Sequence, residues 1–345
     1  MFLELNGSFT AYQQPGTSIL LAPFTMISSR WAMDIFYALM SSGTTAMAYL
    51  FFAVCGVEDK RALLAGTIFA VFPAGVLYSG FPNSEVPFTL LLFAAFIVIA
   101  TRGGDFGFFK AGFVIGVATL FRTLGLMVLP IALWFDYRLT GERFDMRKFL
   151  RRGILLLVGF AIIVAPLSIR NAIRMGTPSL STNTGINLRI GNFDGAHGGY
   201  NAEAQTLPDS LPESLRNREY TSMALSWITK NPIAWIKLVP KKILNLWGLQ
   251  AAGMFLRNSP SFKDSNFWLI AVHIVWFIIL ILSGIGLVRN WNWRGDPVFA
   301  LSIVSVVGVT IFHVVFFGAG RFRFPVEWAL AYWIALDLPK KSKKA

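Results

Sequence analysis

The residues best suited to chemistry in this chain stand where its apolar runs end. Asn83-Ser84-Glu85 lies between Pro82 and Pro87, just ahead of the apolar run 86–101. A carboxylate there can act as a base, ligate a metal or pair with an arginine. The plainer alternative is a helix start, with Asn83 or Ser84 capping and Glu85 complementing the dipole. Arg122 separates two short apolar segments, 106–121 and 123–135, where a guanidinium is costly unless it reaches water or an anion. Arg321 and Arg323 bracket Phe322 ahead of Phe324-Pro325. Two guanidiniums so placed suit a phosphate held bidentately, or simple anchoring at a lipid interface. Arg170-Asn171 follows Pro166 at another run end, and Lys237, Lys241 and Lys242 accompany Trp235 and Trp247, a composition that suits anionic headgroups. His197 lies in a Gly-rich stretch with no second histidine near it and reads as a solvated loop residue. His273 and His313 fall inside apolar runs, where packing is the expected role, and Cys55 reads as a small buried hydrophobe. No Ser/His/Asp, HExxH or phosphate-cradling glycine motif is visible.

The elements that must position these groups follow from composition. Of 345 residues, 55% are hydrophobic and 14% charged, against about 25% charged in soluble domains. That charge density cannot cover a water-facing surface of this size, which excludes an ordinary soluble enzyme and a disordered chain. A bilayer core needs about 20 apolar residues as helix. Runs at 35–57, 62–82, 86–101, 106–121, 123–135, 153–169, 267–288, 297–318 and 324–338 give an all-α, polytopic integral membrane protein with eight or nine spans. Met1 to Pro15 has neither the basic nor the apolar part of a cleaved signal peptide.

Orientation follows from basic residues in short loops. The tail with Lys340, Lys341, Lys343 and Lys344, and the loops 58–61, 102–110, 136–152 and 289–296, are expected in the cytoplasm. Together they carry 16 basic and 7 acidic residues, or +9 of the net +13. The basicity thus records topology rather than a nucleic-acid partner. Segments 78–85, 170–265 and 320–323 are then outside, provided that 233–250 lies at the interface as an amphipathic helix rather than spanning. Pro15-Gly16 is expected to open a short interfacial helix through residue 27. These segments divide the chain into an N-terminal membrane region (1–169), an extracytoplasmic loop with its interfacial helix (170–265) and a C-terminal membrane region (266–345). A loop this long inside a membrane protein is usually functional.

Several landmarks, in order, resemble the GT-C membrane glycosyltransferases. Gln14-Pro15-Gly16 resembles the start of their outer juxtamembrane helix. Pro73, Tyr78-Ser79 and Ser84-Glu85 resemble their second outer loop, and residues 112–122 (GFVIGVATLFR) their "GxxxGLAxLxR" hairpin. Pro166 with Arg170-Asn171, then Ser181-Thr182, Gly185, Asn187 and Gly191-Asn192, resemble the start of the large outer loop. Asn231-Pro232 with Lys242, and Arg321 to Pro325, resemble later landmarks. The nearest resemblance is to the family 39 protein mannosyltransferase-like enzymes and the lipid A aminoarabinose transferases. It implies inverting transfer of a sugar from a polyprenyl-phosphate-linked donor to a lipid, glycan or protein acceptor, among membrane lipids, at the outward face of a bacterial cytoplasmic membrane. Glu85 is then expected at the reaction centre as base helper or ligand of a divalent metal. Arg122, Arg321, Arg323 and Lys242 are the expected phosphate contacts, Arg170 and Asn171 further substrate contacts, and Asn192 and Tyr200 would shape the acceptor side. The family's acidic base follows a first span upstream of the Pro-Gly element. Here fourteen residues precede Pro15 and Glu4 is the acid among them, so the chain reads as a shortened member. The competing expectations are a lipid-linked sugar transporter or flippase, and an inactive truncated homologue.

Overall fold

The computed structural model describes residues 4–5, 8–26, 30–101, 103–141, 143–248 and 266–337. They form fourteen α-helices, with one two-residue antiparallel ladder, Glu4–Leu5 against Ser8–Phe9, at the start. In chain order the helices are α1 (Gly16–Met26), α2 (Arg30–Val54), α3 (Asp59–Ala70), α4 (Pro73–Tyr78), α5 (Glu85–Ala100), α6 (Gly104–Thr119), α7 (Gly125–Thr140), α8 (Met146–Met175), α9 (Thr184–Ile190), α10 (Glu213–Lys230), α11 (Pro232–Trp247), α12 (Asn266–Arg289), α13 (Pro297–Val315) and α14 (Glu327–Leu336). A 3-10 turn, Gly320–Val326, leads into α14. Four segments are long and apolar enough to cross a membrane: Trp31–Val54, Met146–Met175, Ile270–Arg289 and Pro297–Val315. The basic tail lies outside the described residues.

Local chemistry sets these boundaries. The Asp145 carboxylate accepts from the Arg147 and Lys148 N–H groups to start α8, and Gly176, at φ +68°, ends it. Asp296 caps α13 through the Phe299 N–H, with Pro297 in its first turn. The run 62–82, expected as one span, is instead two helices: Pro73 cannot donate an N–H, so α3 stops short and α4 restarts at the proline. Arg122 does separate two helices, α6 and α7, of 16 residues each. The region boundary at 169/170 is crossed without a break by α8, which continues to Met175.

Helices α6 and α8 pack closely against each other, joined through glycines. A Cβ on Gly112 would overlap the Leu156 carbonyl, and one on Gly159 would overlap the Phe109 carbonyl. Small residues here let two backbones meet in an apolar medium, where dispersion rather than solvent exclusion drives packing. The aromatic core lies elsewhere, between α2, α5, α7 and α14. Phe52 stacks on Tyr332 with centroids 5.2 Å apart, and Phe51 meets Trp328 edge-on at 5.7 Å and Phe135 at 6.0 Å.

The polar groups segregate to two ends. At one end Arg152 pairs with Asp136, Arg151 with Asp105 and Arg289 with Asp337. Arg138 donates to the Trp293 and Arg294 carbonyls, and the Tyr332 hydroxyl donates to Asp296. At the other end lie Glu85, Arg122, Arg321 and residues 176–231. Three of the loops whose basic content groups them in the sequence, 102–110, 136–152 and 289–296, therefore meet one another in space.

Candidate functional site

The carboxylate comes from the start of α5. Asn83 builds the turn before it: Oδ1 accepts from the Val86 N–H, Nδ2 donates to the Tyr78 and Phe81 carbonyls, and the Tyr37 hydroxyl donates to the Asn83 carbonyl. The capping role thus belongs to Asn83, which leaves Ser84 free to donate to Glu85 Oε2 at 3.1 Å. Arg122 comes from the tight turn between α6 and α7. That turn is clamped from outside by the Gly16 N–H, which donates to the Leu120 carbonyl at 2.7 Å. A Cβ on Gly16 would overlap that carbonyl, so the Pro15-Gly16 element needs its glycine for close approach. Arg321 and Phe322 come from the 3-10 turn before α14.

These elements converge. Arg122 Nη1 lies 2.5 Å from Glu85 Oε1, and Arg321 Nε lies 3.9 Å from the same oxygen. The Glu85 side chain is 5% exposed and that of Arg321 62%. Both guanidiniums lie over the Phe322 ring, at 5.2 Å for Arg122 and 5.0 Å for Arg321. His313, from the last turn of α13, stacks parallel on Phe322 with centroids 4.4 Å apart. All five residues line a cavity of about 700 Å³. Its polar wall also includes Ser84, Asn183, Thr184 and Asn187. Its apolar wall includes Phe121, Leu126, Met127, Val164, Phe312 and Phe316.

The other expected site residues lie off this cavity. Arg323 Nη1 donates to the Leu246 and Gly248 carbonyls at the end of α11, its Nε donates to Glu327, and its guanidinium lies 3.7 Å from the Trp276 ring centroid. It ties α11 to α12 and α14. Lys242 is fully buried and donates to Asn192 Oδ1 and the Val314 carbonyl, each at 2.9 Å. Asn192 in turn donates to the Leu188 and Val315 carbonyls. The two residues satisfy carbonyls at the C-terminus of α13 and pin the long loop to it. Arg170 donates to the Thr10 carbonyl and to Asn171 Oδ1, and Asn171 Nδ2 donates to the Ser179 carbonyl. They shape the loop behind the cavity wall rather than the wall itself. The Tyr200 hydroxyl accepts from Gln205, and its ring packs on Phe317.

Other residues take on a role once the fold brings them together. Asn183 and Asn187 are four apart across the start of α9, so they share a face; that i,i+4 pair was visible in the sequence. Glu213 fastens the N-terminal segment to the loop: its carboxylate accepts from Thr10 Oγ1, the Ala11 N–H and Thr182 Oγ1. His313 carries an apolar run's hydropathy around it and gives no local sign of facing a cavity. A divalent cation is not well served here. Glu85 is the carboxylate that lines the cavity, its Oε1 is held by Arg122, and among the described residues no group of three or more His, Cys, Asp or Glu residues gathers for a metal.

Burial depresses the Lys242 ammonium to about 8. The unfolded chain therefore binds more protons than the folded chain between pH 8 and the ordinary lysine value near 10.5. Stability contributed by this group rises with pH across that window. The thermal unfolding midpoint in detergent should climb from pH 8 to pH 10, and the climb should be smaller in Lys242→Met.

Comparison with protein-family profiles, with curated proteins and with solved structures gives no significant match.

Proposed function

We propose that this chain is a membrane glycosyltransferase of the GT-C type, taking a sugar from a polyprenyl-phosphate-linked donor at the extracytoplasmic face. One observation carries the reading: the cavity joins two guanidiniums and a buried carboxylate to an apolar wall. That pairing suits a ligand with an anionic head and a hydrocarbon tail, as a lipid-linked sugar phosphate has. On this reading the membrane region crosses eight or nine times. The four long helices span directly; α5, α6 and α7, about 24 Å for 16 residues each, and the shorter α3 and α14 cross where they are covered by protein.

The chemistry is then an in-line displacement. The acceptor oxygen bonds to the anomeric carbon as the bond from that carbon to the phosphate oxygen breaks. The electron pair leaves with the phosphate, whose charge Arg122 and Arg321 stabilise. The acceptor proton needs a base, and Glu85 is the carboxylate at hand. Its Oε1 holds Arg122 in place, which leaves Oε2, touched by the Ser84 hydroxyl, as the oxygen to take the proton. The partners are the lipid-linked donor, a lipid, glycan or protein acceptor, and the surrounding lipids.

Arg321→Ala tests the phosphate assignment. Arg321 is largely exposed and its contact with Glu85 is long, so the fold should tolerate its loss. In nanodiscs, the affinity for a polyprenyl phosphate should fall at least tenfold with an unchanged unfolding midpoint. Unchanged affinity would remove Arg321 from the site.

A further inference from the structure

His313 is a buried histidine whose ring nitrogens lack a well-formed hydrogen bond. It is 4% exposed, and neither Nδ1 nor Nε2 has a hydrogen-bond partner. The Phe317 backbone approaches the ring but stays outside hydrogen-bond geometry. Buried polar groups in folded proteins are overwhelmingly paired, so two open positions on one ring call for an account. Packing alone is a poor one. The ring does stack on Phe322 at 4.4 Å and meets Phe312 edge-on at 5.2 Å, but a phenylalanine would make the same contacts with no polar atom to desolvate. The distinguishing fact is location. His313 lines the same cavity as Arg122, Arg321 and Glu85, with Phe322 between the imidazole and the guanidiniums.

We propose that His313 is a ligand-binding residue, and that it holds a hydroxyl of the sugar while the phosphate of the same molecule lies on Arg122 and Arg321. The groups facing His313 narrow the ligand's chemistry. A neutral imidazole has one nitrogen that donates and one that accepts. A sugar hydroxyl can serve either nitrogen, accepting from the N–H or donating to the bare nitrogen, whereas a second phosphate would leave the accepting nitrogen facing an anion. The imidazole, the guanidiniums and the amides of Asn183 and Asn187 give the cavity a polar wall, with hydrogen-bonding groups at several points. A hydroxylated ring can use such a wall and a plain polyprenyl phosphate cannot. The site-by-site logic is that of any pocket built to pair a substrate hydroxyl: it discriminates against the analogue lacking one, because its own polar atoms are then left unpaired.

This inference rests on the lipid-phosphate reading of the cavity, and the test separates the two. The full chain in nanodiscs is titrated with a short-chain polyprenyl-phosphate-linked hexose and with the same polyprenyl phosphate lacking the sugar. Wild type should bind the sugar-bearing probe more tightly. His313→Phe keeps the stacking and removes both polar atoms. It should lose at least tenfold in affinity for the sugar-bearing probe, bind the sugar-free probe as before, and unfold at the same or a higher temperature. His313→Gln, which restores a donor and an acceptor, should recover part of the loss. Equal affinities of wild type and His313→Phe for the sugar-bearing probe, or an equal loss on both probes, would overturn the role of His313 while leaving the phosphate site standing. If wild type binds neither probe, the lipid-phosphate reading fails and the His313 assignment falls with it.

Discussion

Glu85→Ala is expected to be among the most damaging single substitutions in this protein. It removes the carboxylate that holds Arg122 and leaves that guanidinium, 14% exposed, without its anionic partner. Breaking a buried pair by deleting one member costs about 3–5 kcal/mol, because the remaining charge keeps its desolvation penalty. Part of that cost should be recovered by Glu85→Gln, which still accepts a hydrogen bond from Arg122 but carries no charge. Combining Glu85→Ala with Arg122→Ala should cost less than the sum of the two, since the double variant buries no lone charge. Thermal unfolding of the four chains in one detergent reads this directly. On the proposed chemistry, Glu85→Gln should also abolish transfer while losing less stability than Glu85→Ala, which separates the proton-accepting role from the structural one.

The second large effect lies away from the cavity. Gly112→Ala and Gly159→Ala each place a methyl group against a backbone carbonyl of the opposing helix, at Leu156 and Phe109. Overpacking costs about 1–3 kcal/mol when side chains can yield. Backbone carbonyls inside two helices cannot yield, so the loss should reach or exceed that range, with α6 and α8 forced apart. Gly284→Ala is the control. Nothing lies within 4 Å of a Cβ there, and alanine favours a helix over glycine by about 1 kcal/mol, so that variant should be neutral or slightly stabilised. Because the α6 end of this pair carries the Arg122 turn, the two destabilised variants should also lose lipid-phosphate affinity.

Much of this architecture follows from local sequence. The Pro15-Gly16 start, the turn at Arg122, the amphipathic helix after Asn231-Pro232 and the grouping of basic loops all rest on proline chemistry, apolar periodicity or charge. Those signals act over a few residues. Pro73 shows where hydropathy alone misleads: the run reads as one span because its side chains are apolar, but the missing N–H divides it into α3 and α4. The site divides in a similar way. Glu85, Arg122 and Arg321 come together as their positions at run ends suggest. Arg323, Lys242 and Asn192 are expected to join them, yet their polar atoms are consumed by carbonyls at helix ends. Whether a buried cation meets a ligand or a C-terminal carbonyl depends on what packs over it, and that information is tertiary. His313 is the converse case, since its surroundings in sequence are apolar while its surroundings in space include two guanidiniums.

The central claim is that the cavity passes a sugar from a lipid phosphate to an acceptor. Membranes containing the chain are supplied with a polyprenyl-phosphate-linked hexose labelled in the sugar, and the label and the polyprenyl phosphate are followed together. The account predicts that label leaves the lipid donor for a second membrane component, that free polyprenyl phosphate appears in equal amount, and that both stop in Glu85→Gln. Label that stays on its polyprenyl phosphate in wild-type membranes, even as the lipid binds and crosses the bilayer, would contradict it.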